Sequence, residues 1–448
     1  MFLFLGTALC CACGGGSGGG TMPAPVATPT PSPNPRPATG GDTFAYAGKL
    51  TQTFTTYGIA PPSPSPGSSP QPTPTPMIGT TTAAVTQKIT VANGTSFAGQ
   101  NGLVDFATAE TDTGTQATTT QTSDAYVAYV ANAARAGGTD VTLVGLATKT
   151  SNGVTTQTTN AAGNGVFDEL PEVANAQWTQ SAARSQTESD PSTQSSSVTY
   201  AADGSYQESI TFPEGGSATV QTQPDGSGVY QTPVEASGAN STITITAPSG
   251  GSINGETTFI TGAGFPVTQP FTIPVWYPSV PPALASDTFV DAGPSALPST
   301  CNVPSAYASA TPNKIVETKV RLDTVFGELE TTTNTSYVAS PYGVLCAVVH
   351  DDLEDYYDYS GQSAYLLVIG PVPFESTIVD ETLALQSASL APSSASSSAT
   401  RSTASLAAPT LAVPNGSVLG AHVEAIIAQR RAAHAQLARA AFLSRTTR

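Results

Sequence analysis

The densest group of chemically active side chains lies between residues 351 and 358, where acids alternate with tyrosines and apolar residues. The acids are Asp351, Asp352, Glu354, Asp355 and Asp358. Several carboxylate oxygens held close together are what a calcium ion requires, so one interpretation is a calcium site. The segment lacks the glycine of an EF-hand loop, and we favour a solvated hairpin whose charges keep a sheet edge from pairing. A carboxylate pair for glycoside cleavage is a further use of the same acids.

Histidine, the commonest side chain for acid–base chemistry, is nearly absent. Of the three histidines, His422 and His434 lie near the C-terminus, and only His350 lies in the central part of the chain. A Ser/His/Asp triad could therefore be built on His350 alone, and no glycine-rich phosphate loop follows a strand-like segment. This pattern favours a protein that is not an enzyme and has no cofactor other than calcium.

Two of the five cysteines, Cys301 and Cys346, lie far from the N-terminus. Exported proteins fold in oxidising surroundings, where two neighbouring thiols form a disulfide. Cys301 and Cys346 are therefore predicted to be bonded to each other.

Charge is scarce and mostly negative. The 448 residues include 15 Lys and Arg against 32 Asp and Glu, a net charge of −17, and only 10% of residues are charged. Such a field repels phosphates, so nucleic acid is not an expected partner.

The first twenty residues carry the clearest targeting signal. Residues 1–12 form an apolar run too short to span a bilayer but suited to a signal peptide. Ala12 precedes Cys13, and a Gly/Ser run follows. This arrangement resembles a bacterial lipoprotein precursor, which implies cleavage before Cys13 and a lipid on that cysteine. The resemblance also implies a cell-envelope location, with the lipid holding the protein on a membrane, most simply the outer membrane.

Composition divides the rest of the chain into segments. Residues 13–41 are a disordered Gly/Pro-rich spacer, because such a segment cannot bury enough apolar surface to offset its ordering entropy. A β-rich body is predicted over residues 42–380, interrupted by a Pro-rich loop at 61–78. A Ser/Ala-rich linker at 381–415 leads to a basic amphipathic helix at 416–448.

The body alternates apolar and polar residues with a period of two, which predicts half-buried strands. Between the strands lie Asn-Gly and Asp-Gly pairs that favour hairpin turns. These pairs are Asn93-Gly94, Asn152-Gly153, Asp203-Gly204, Asp225-Gly226 and Asn254-Gly255. Residues 163–195 lack the alternation and are predicted to form a rim loop or short helix packed by Trp178. The expected fold is therefore all-β, an antiparallel meander forming a sandwich or an open or half barrel, plus the C-terminal α-helix on its flexible linker.

Three functions remain open on these observations. The first is a lipid-anchored envelope protein with a binding or structural role, whose partner is a protein, a lipid or a glycan. The second is a lipid or lipoprotein carrier with an apolar groove, because residues 325–349 resemble exported half-barrel lipoproteins that cup an acyl chain. The third is a secreted carbohydrate-active enzyme.

Overall fold

A computed structural model describes most of the predicted body. The described residues are 38–57, 76–114, 118–132, 138–151, 153–162, 165–170, 174–180, 183–189, 195–212, 215–232, 234, 238, 240–260, 265–274, 285–325, 327–339, 342–358, 367–368 and 375–391. The predicted signal peptide, nearly all of the spacer and of the Pro-rich loop, and the C-terminal helix lie outside them.

Within the described residues the chain is almost entirely β-structure, as predicted, with one four-residue helix. The elements are β1 Thr43–Thr56, β2 Met77–Phe97, β3 Gln100–Gly114, β4 Thr118–Ala131, β5 Thr139–Thr150, β6 Thr155–Asn160, β7 Val166–Leu170, β8 Gln177–Gln180, β9 Arg184–Ser189, β10 Ser195–Tyr200, β11 Tyr206–Thr211, β12 Ser217–Thr222, β13 Gly228–Gln231, β14 Asn240–Ile245, β15 Ser252–Ile260, β16 Pro266–Pro274, β17 Ala285–Pro294, α1 Ser305–Ala308, β18 Asn313–Asp323, β19 Glu328–Ala339, β20 Gly343–Asp355, β21 Tyr357–Asp358, β22 Leu367–Val368 and β23 Glu375–Ser389.

The period-two pattern sets which side chains are buried. In β2, Val85, Ile89 and Val91 are buried, whereas Thr86 and Lys88 between them are exposed. Successive side chains of a strand point to opposite faces, so one face of β2 joins the core and the other meets solvent.

One antiparallel sheet contains every strand except β21 and β22, which pair with each other. The pairings place the strands in the order β16, β15, β14, β13, β12, β11, β10, β9, β6, β5, β4, β3, β2, β1, β23, β20, β19, β18, β17, β8. Because neighbours in the sheet are mostly neighbours in sequence, short hairpins make most of the connections.

The sheet branches at β5 and curls there. The first half of β5 pairs with β7, and its second half pairs with β6. The chain then leaves β7 and forms β8, which pairs with β17 at the far border. The indole N–H of Trp178 in β8 donates to the carbonyl of Val166 in β7 at 3.0 Å, so the two borders are brought together.

The strands β1–β5, β17–β20 and β23, with the closing segment β7–β8, are called the curled part here. Its buried face carries the larger apolar cluster, which includes Phe44, Ile89, Phe106, Val127 and Leu385. Trp178 packs beside this cluster with its ring stacked on Phe289, centroid to centroid 5.4 Å.

The strands β6 and β9–β16 form an extension with a core of its own. Val198, Ile210 and Val220 lie in this core, and Val325, from the connection between β18 and β19, packs against them. Tyr206 donates a hydrogen bond to the Asp323 carboxylate, and the Thr324 hydroxyl donates to the Gly226 carbonyl at 2.8 Å. The extension is thus fixed to the end of β18.

Four predictions about local structure are wrong. Asn93-Gly94 lies inside β2, and the hairpin from β2 to β3 turns at Ala98 and Gly99 instead. Residues 163–195 contain the strands β7, β8 and β9, not a rim loop or helix around Trp178. Asn254-Gly255 lies inside β15, where Phe271 of β16 packs over Gly255 and leaves no room for a Cβ. The linker begins later than residue 381, because β23 continues to Ser389.

Within the part of the chain that the structure describes, no helix has the length and apolarity needed to span a membrane.

Cys301 and Cys346 lie at disulfide distance, with their Cα atoms 5.8 Å apart. Cys301 lies in the loop between β17 and β18, and Cys346 is buried in β20 beside Tyr337. The bond ties that loop to the middle of the curled part.

We expect reduction of this bond to destabilise the protein, because a crosslink over 45 residues restricts the unfolded chain by about 4 kcal/mol in the chain-entropy model. Reductant should lower the melting temperature of the wild type and leave that of a Cys301→Ser variant unchanged. Two alkylatable thiols at Cys301 and Cys346 in unreduced protein would contradict the pairing.

Candidate functional site

The buried residues of the described chain include far more acids than bases. Arg321 is the one basic residue among the buried residues described. The buried acids are Asp42, Glu110, Asp112, Glu208, Asp291, Asp323, Glu328, Glu330, Asp351, Asp355 and Glu381. Burying a charge is costly unless it is paired, hydrogen-bonded or neutralised, so this excess needs a physical explanation.

Many of these acids lie on the buried face of β18, β19, β20 and β23, which we call the acidic belt. The belt consists of Glu317, Lys319, Arg321, Glu330, Thr332, Asn334, Asp351 and Glu381. It occupies the same face as the apolar cluster, so the buried face of the curled part is apolar in one region and polar in another.

Both basic side chains of the belt bind the same acid. Arg321 Nε lies 2.8 Å from Glu330 Oε2, and Lys319 Nζ lies 3.2 Å from Glu330 Oε1. Arg321 and Glu330 are directly opposite across β18 and β19. Glu330 is therefore held by both of these cationic side chains.

Three acceptor-bearing side chains surround Val349 of β20. Asn334 of β19 and Glu381 of β23 lie opposite Val349 on its two sides, and Asp351 lies two residues further along β20 on the same face. Cβ atoms directly opposite are about 5 Å apart, and diagonal neighbours about 7 Å, so all three side chains lie beside Val349, with Asn334 and Glu381 on opposite sides of it.

Asn334 has an incompletely satisfied amide. Its Nδ2 donates to Glu317 Oε2 at 3.2 Å, whereas its Oδ1 is buried and accepts no hydrogen bond from the protein. Such an oxygen usually bonds a water or a ligand.

A second polar group lies on the buried face of β2, β3 and β4. Gln87 Nε2 donates to Glu110 Oε2 at 2.9 Å. Thr108, two residues before Glu110 in β3, lies opposite Ser123 of β4. The Thr108 hydroxyl is buried and has no hydrogen-bond partner in the protein.

The acids predicted from the sequence to act together are divided between two faces. Asp351 and Asp355 are buried on the belt side of β20, whereas Asp352 and Glu354 are half-buried on the other side. The side chain of Asp358 lies outside the described residues. Among the residues that the structure describes, no three Asp, Glu, His or Cys side chains are arranged to hold a metal ion. Because successive acids of β20 point to opposite faces of the sheet, they do not gather around one point as calcium ligands do.

The preferred interpretation, an exposed hairpin that protects a sheet edge, is wrong. β20 pairs with β19 on one side and with β23 on the other, so its acids lie inside the sheet. On the outer side, burial raises the pKa of Asp352 and that of Glu354, which also accepts a hydrogen bond from the Tyr356 hydroxyl at 2.8 Å.

The remaining predicted residues fall elsewhere. Nδ1 of His350 lies 2.7 Å from Asp380 Oδ1 on the exposed face, and the two side chains are 52% and 58% exposed. Cys13, His422 and His434 lie outside the described residues.

The sequence did contain a signal for the belt. From Glu317 to Asp323 every second residue is charged, with Lys319 and Arg321 between them. This alternation places all four side chains on one face, but charged residues at alternate positions normally predict a solvent-facing surface. The structure buries that face instead.

On the face of β3 and β4 that points away from the apolar cluster, two acids lie next to aromatic side chains. Asp105 of β3 lies opposite Tyr126 of β4, and Asp124 is its diagonal neighbour. The Tyr126 ring stacks on Phe97 at 4.4 Å, and Phe97 covers Gly145 so closely that any larger residue there would clash. Burial, with a smaller contribution from Asp124, raises the pKa of Asp105 to about 6.

Comparison of the chain with protein-family models, with curated proteins and with solved structures finds no match.

We expect the free energy of unfolding to fall as the pH rises from about 4 through about 6. The raised pKa of Asp105 means that the folded state holds a proton that the unfolded state has lost in this window. The same direction holds for Asp124 and Asp291, whose pKa values burial also raises.

An Asp105→Asn variant should therefore show a smaller drop in melting temperature between pH 5 and pH 7.5 than the wild type. Glu256→Gln, a change at an exposed position of β15, is the control. An Asp105→Asn profile parallel to that of the wild type would contradict this assignment.

Proposed function

We propose that this protein is a lipid-anchored protein of the cell envelope whose curled part serves as a non-catalytic binding module. The anchor is Cys13, and residues 13–41 form the spacer that holds the sheet away from the membrane. The partner is reached through the acidic belt.

The observation that carries the binding role is the burial of the acidic belt. A sheet that needed only stability would place apolar residues at these positions, because replacing a buried ion pair with apolar residues of similar volume is often neutral or stabilising. Keeping Asp351 and Glu381 on the buried face requires their desolvation, and proteins accept such costs at functional sites.

The two alternatives receive less support. A carrier of acyl chains needs a continuous apolar groove, whereas the carboxylates and amides of the belt interrupt the apolar residues on the buried face of β18–β20. A carbohydrate-active enzyme needs an acid free to exchange protons with its substrate, and Glu330 is instead held by both Lys319 and Arg321.

The anchor is tested by replacing Cys13. A Cys13→Ser variant should move from the membrane to the soluble fraction, because it lacks the acylated thiol. Cys10→Ser is the matched control and should remain with membranes. A Cys13→Ser protein that still sediments with membranes would contradict the anchor.

The binding role predicts that the belt is not optimised for stability. Without ligand, Asp351→Asn and Glu381→Gln should each raise the melting temperature at pH 7.5, because each removes a buried ionisable group but keeps its shape and part of its hydrogen bonding.

Asp380→Asn provides the control for Glu381→Gln, since it changes the adjacent residue on the exposed face of the same strand. A loss of stability in both belt variants, comparable to a large-to-small change in the apolar cluster, would mean that the belt is structural and that the binding role is wrong.

A further inference from the structure

The hairpin formed by β2 and β3 continues beyond the strands next to it. The ladder between β3 and β4 ends at the pair Val104 and Val127, whereas β2 and β3 stay paired as far as Phe97 and Gln100. Residues 94–103 are called the tip here. The tip contains no charged side chain.

The tip joins the sheet through a bend. The register of β2 against β3 shifts between Asn93 and Thr95, and again between Thr95 and Ser96. A bulge bends a strand and increases its local twist. Gly94 in β2 and Gly102 in β3 both have positive φ, at 74° and 76°, which residues with a side chain rarely adopt. Both strands of the hairpin therefore change direction where the tip begins.

The tip contacts β4 and β5 on the face that points away from the apolar cluster. The ring of Phe97 stacks on that of Tyr126 in β4, with the ring centroids 4.4 Å apart. The same ring covers Gly145 of β5, where a Cβ would overlap it. The tip is therefore held on the sheet by the contact of one aromatic ring with two neighbouring strands.

An acid is enclosed beside this contact. Asp105 of β3 lies opposite Ala92 and Tyr126 on the same face, and its Oδ1 is buried and has no hydrogen-bond partner in the protein. Asp124 is its diagonal neighbour on β4. Lys149 of β5 is in turn a diagonal neighbour of Asp124, on the side away from β3. Among the described residues, the titratable groups next to Asp105 are thus Asp124 and Tyr126.

Ionisation of Asp105 opposes this arrangement. Burial, with a smaller contribution from Asp124, raises the pKa of Asp105 to about 6. An ionised Asp105 would have no hydrogen-bond donor at its buried oxygen and would face a second carboxylate. Burial also raises the pKa of Tyr126, so its hydroxyl stays neutral over this range and offers no compensating charge. Docking of the tip is therefore favoured while Asp105 holds its proton.

We propose that the tip is a hinged flap, which rests on β4 and β5 while Asp105 is protonated and lifts from them when Asp105 ionises. The rings of Phe97 and Tyr126 then separate, so an aromatic surface is covered in acid and uncovered at neutral pH. The flap is independent of the acidic belt and of the binding role proposed for it.

Hydrogen exchange of the full chain in detergent at pH 5 and pH 7.5 tests the flap. A two-stranded hairpin on its own is marginally stable in water, so the amides of a lifted tip exchange readily. Protection factors, each taken relative to the unfolded chain at the same pH, should fall about tenfold in the tip between pH 5 and pH 7.5. This is the change expected for one group whose pKa is about 6 in the docked state and ordinary in the lifted state. The amides of β1 should lose less protection.

Two variants separate the titration from the contact. In Asp105→Asn, the protection of the tip should be the same at both pH values, because the group that titrates is gone. Phe97→Leu keeps an apolar side chain but removes the stacked ring, so the tip should be poorly protected at both pH values while β1 stays protected. Glu256→Gln, a change at an exposed position of β15, is the control and should follow the wild type.

Three results would overturn the flap. The first is a wild-type tip whose protection is equal at pH 5 and pH 7.5, or falls no more than that of β1, which would indicate unfolding of the whole sheet. The second is the same fall in Asp105→Asn as in the wild type. The third is a tip in Phe97→Leu that is as protected as in the wild type.

Discussion

The ion pairs that Lys319 and Arg321 make with Glu330 allow a row of charged residues to lie on the buried face of the sheet. They join β18 to β19 and neutralise one acid in a region where acids exceed bases. Removing one partner of a buried pair leaves the other charge uncompensated, which costs about 3–5 kcal/mol. These ion pairs therefore add to the ladder that joins β18 to β19.

The remaining acids of the belt make part of the buried face of the curled part polar. Asp351 and Glu381 lie on the same face as the apolar cluster, so one side of a single sheet contains both a packed core and a polar surface. Under the proposed function, residues 13–41 would hold the sheet away from the membrane, and the belt would bind the partner.

The sequence was a good guide to the class of fold and a poor guide to the site. Period-two alternation predicted antiparallel strands, and Asp203-Gly204 and Asp225-Gly226 do form turns, with positive φ at both glycines. Asn254-Gly255 failed because a tertiary contact with Phe271 required the glycine inside a strand. The belt was not foreseen, because alternation shows that side chains share a face but not whether that face is covered. Strand order, which settles the question for β20, depends on pairings between distant segments such as β1 with β23.

The central claim is that the fold buries carboxyl groups that hold a proton in the folded state and lose it on unfolding. Calorimetric unfolding at pH 5 in buffers of different ionisation enthalpy measures the protons exchanged on unfolding, and so tests this claim directly. The account predicts that unfolding releases protons at this pH, because burial raises the pKa of Asp105 to about 6 and also raises that of Asp291. Unfolding with no net proton release would mean that the carboxylates are fully ionised and compensated within the fold, and would contradict the account.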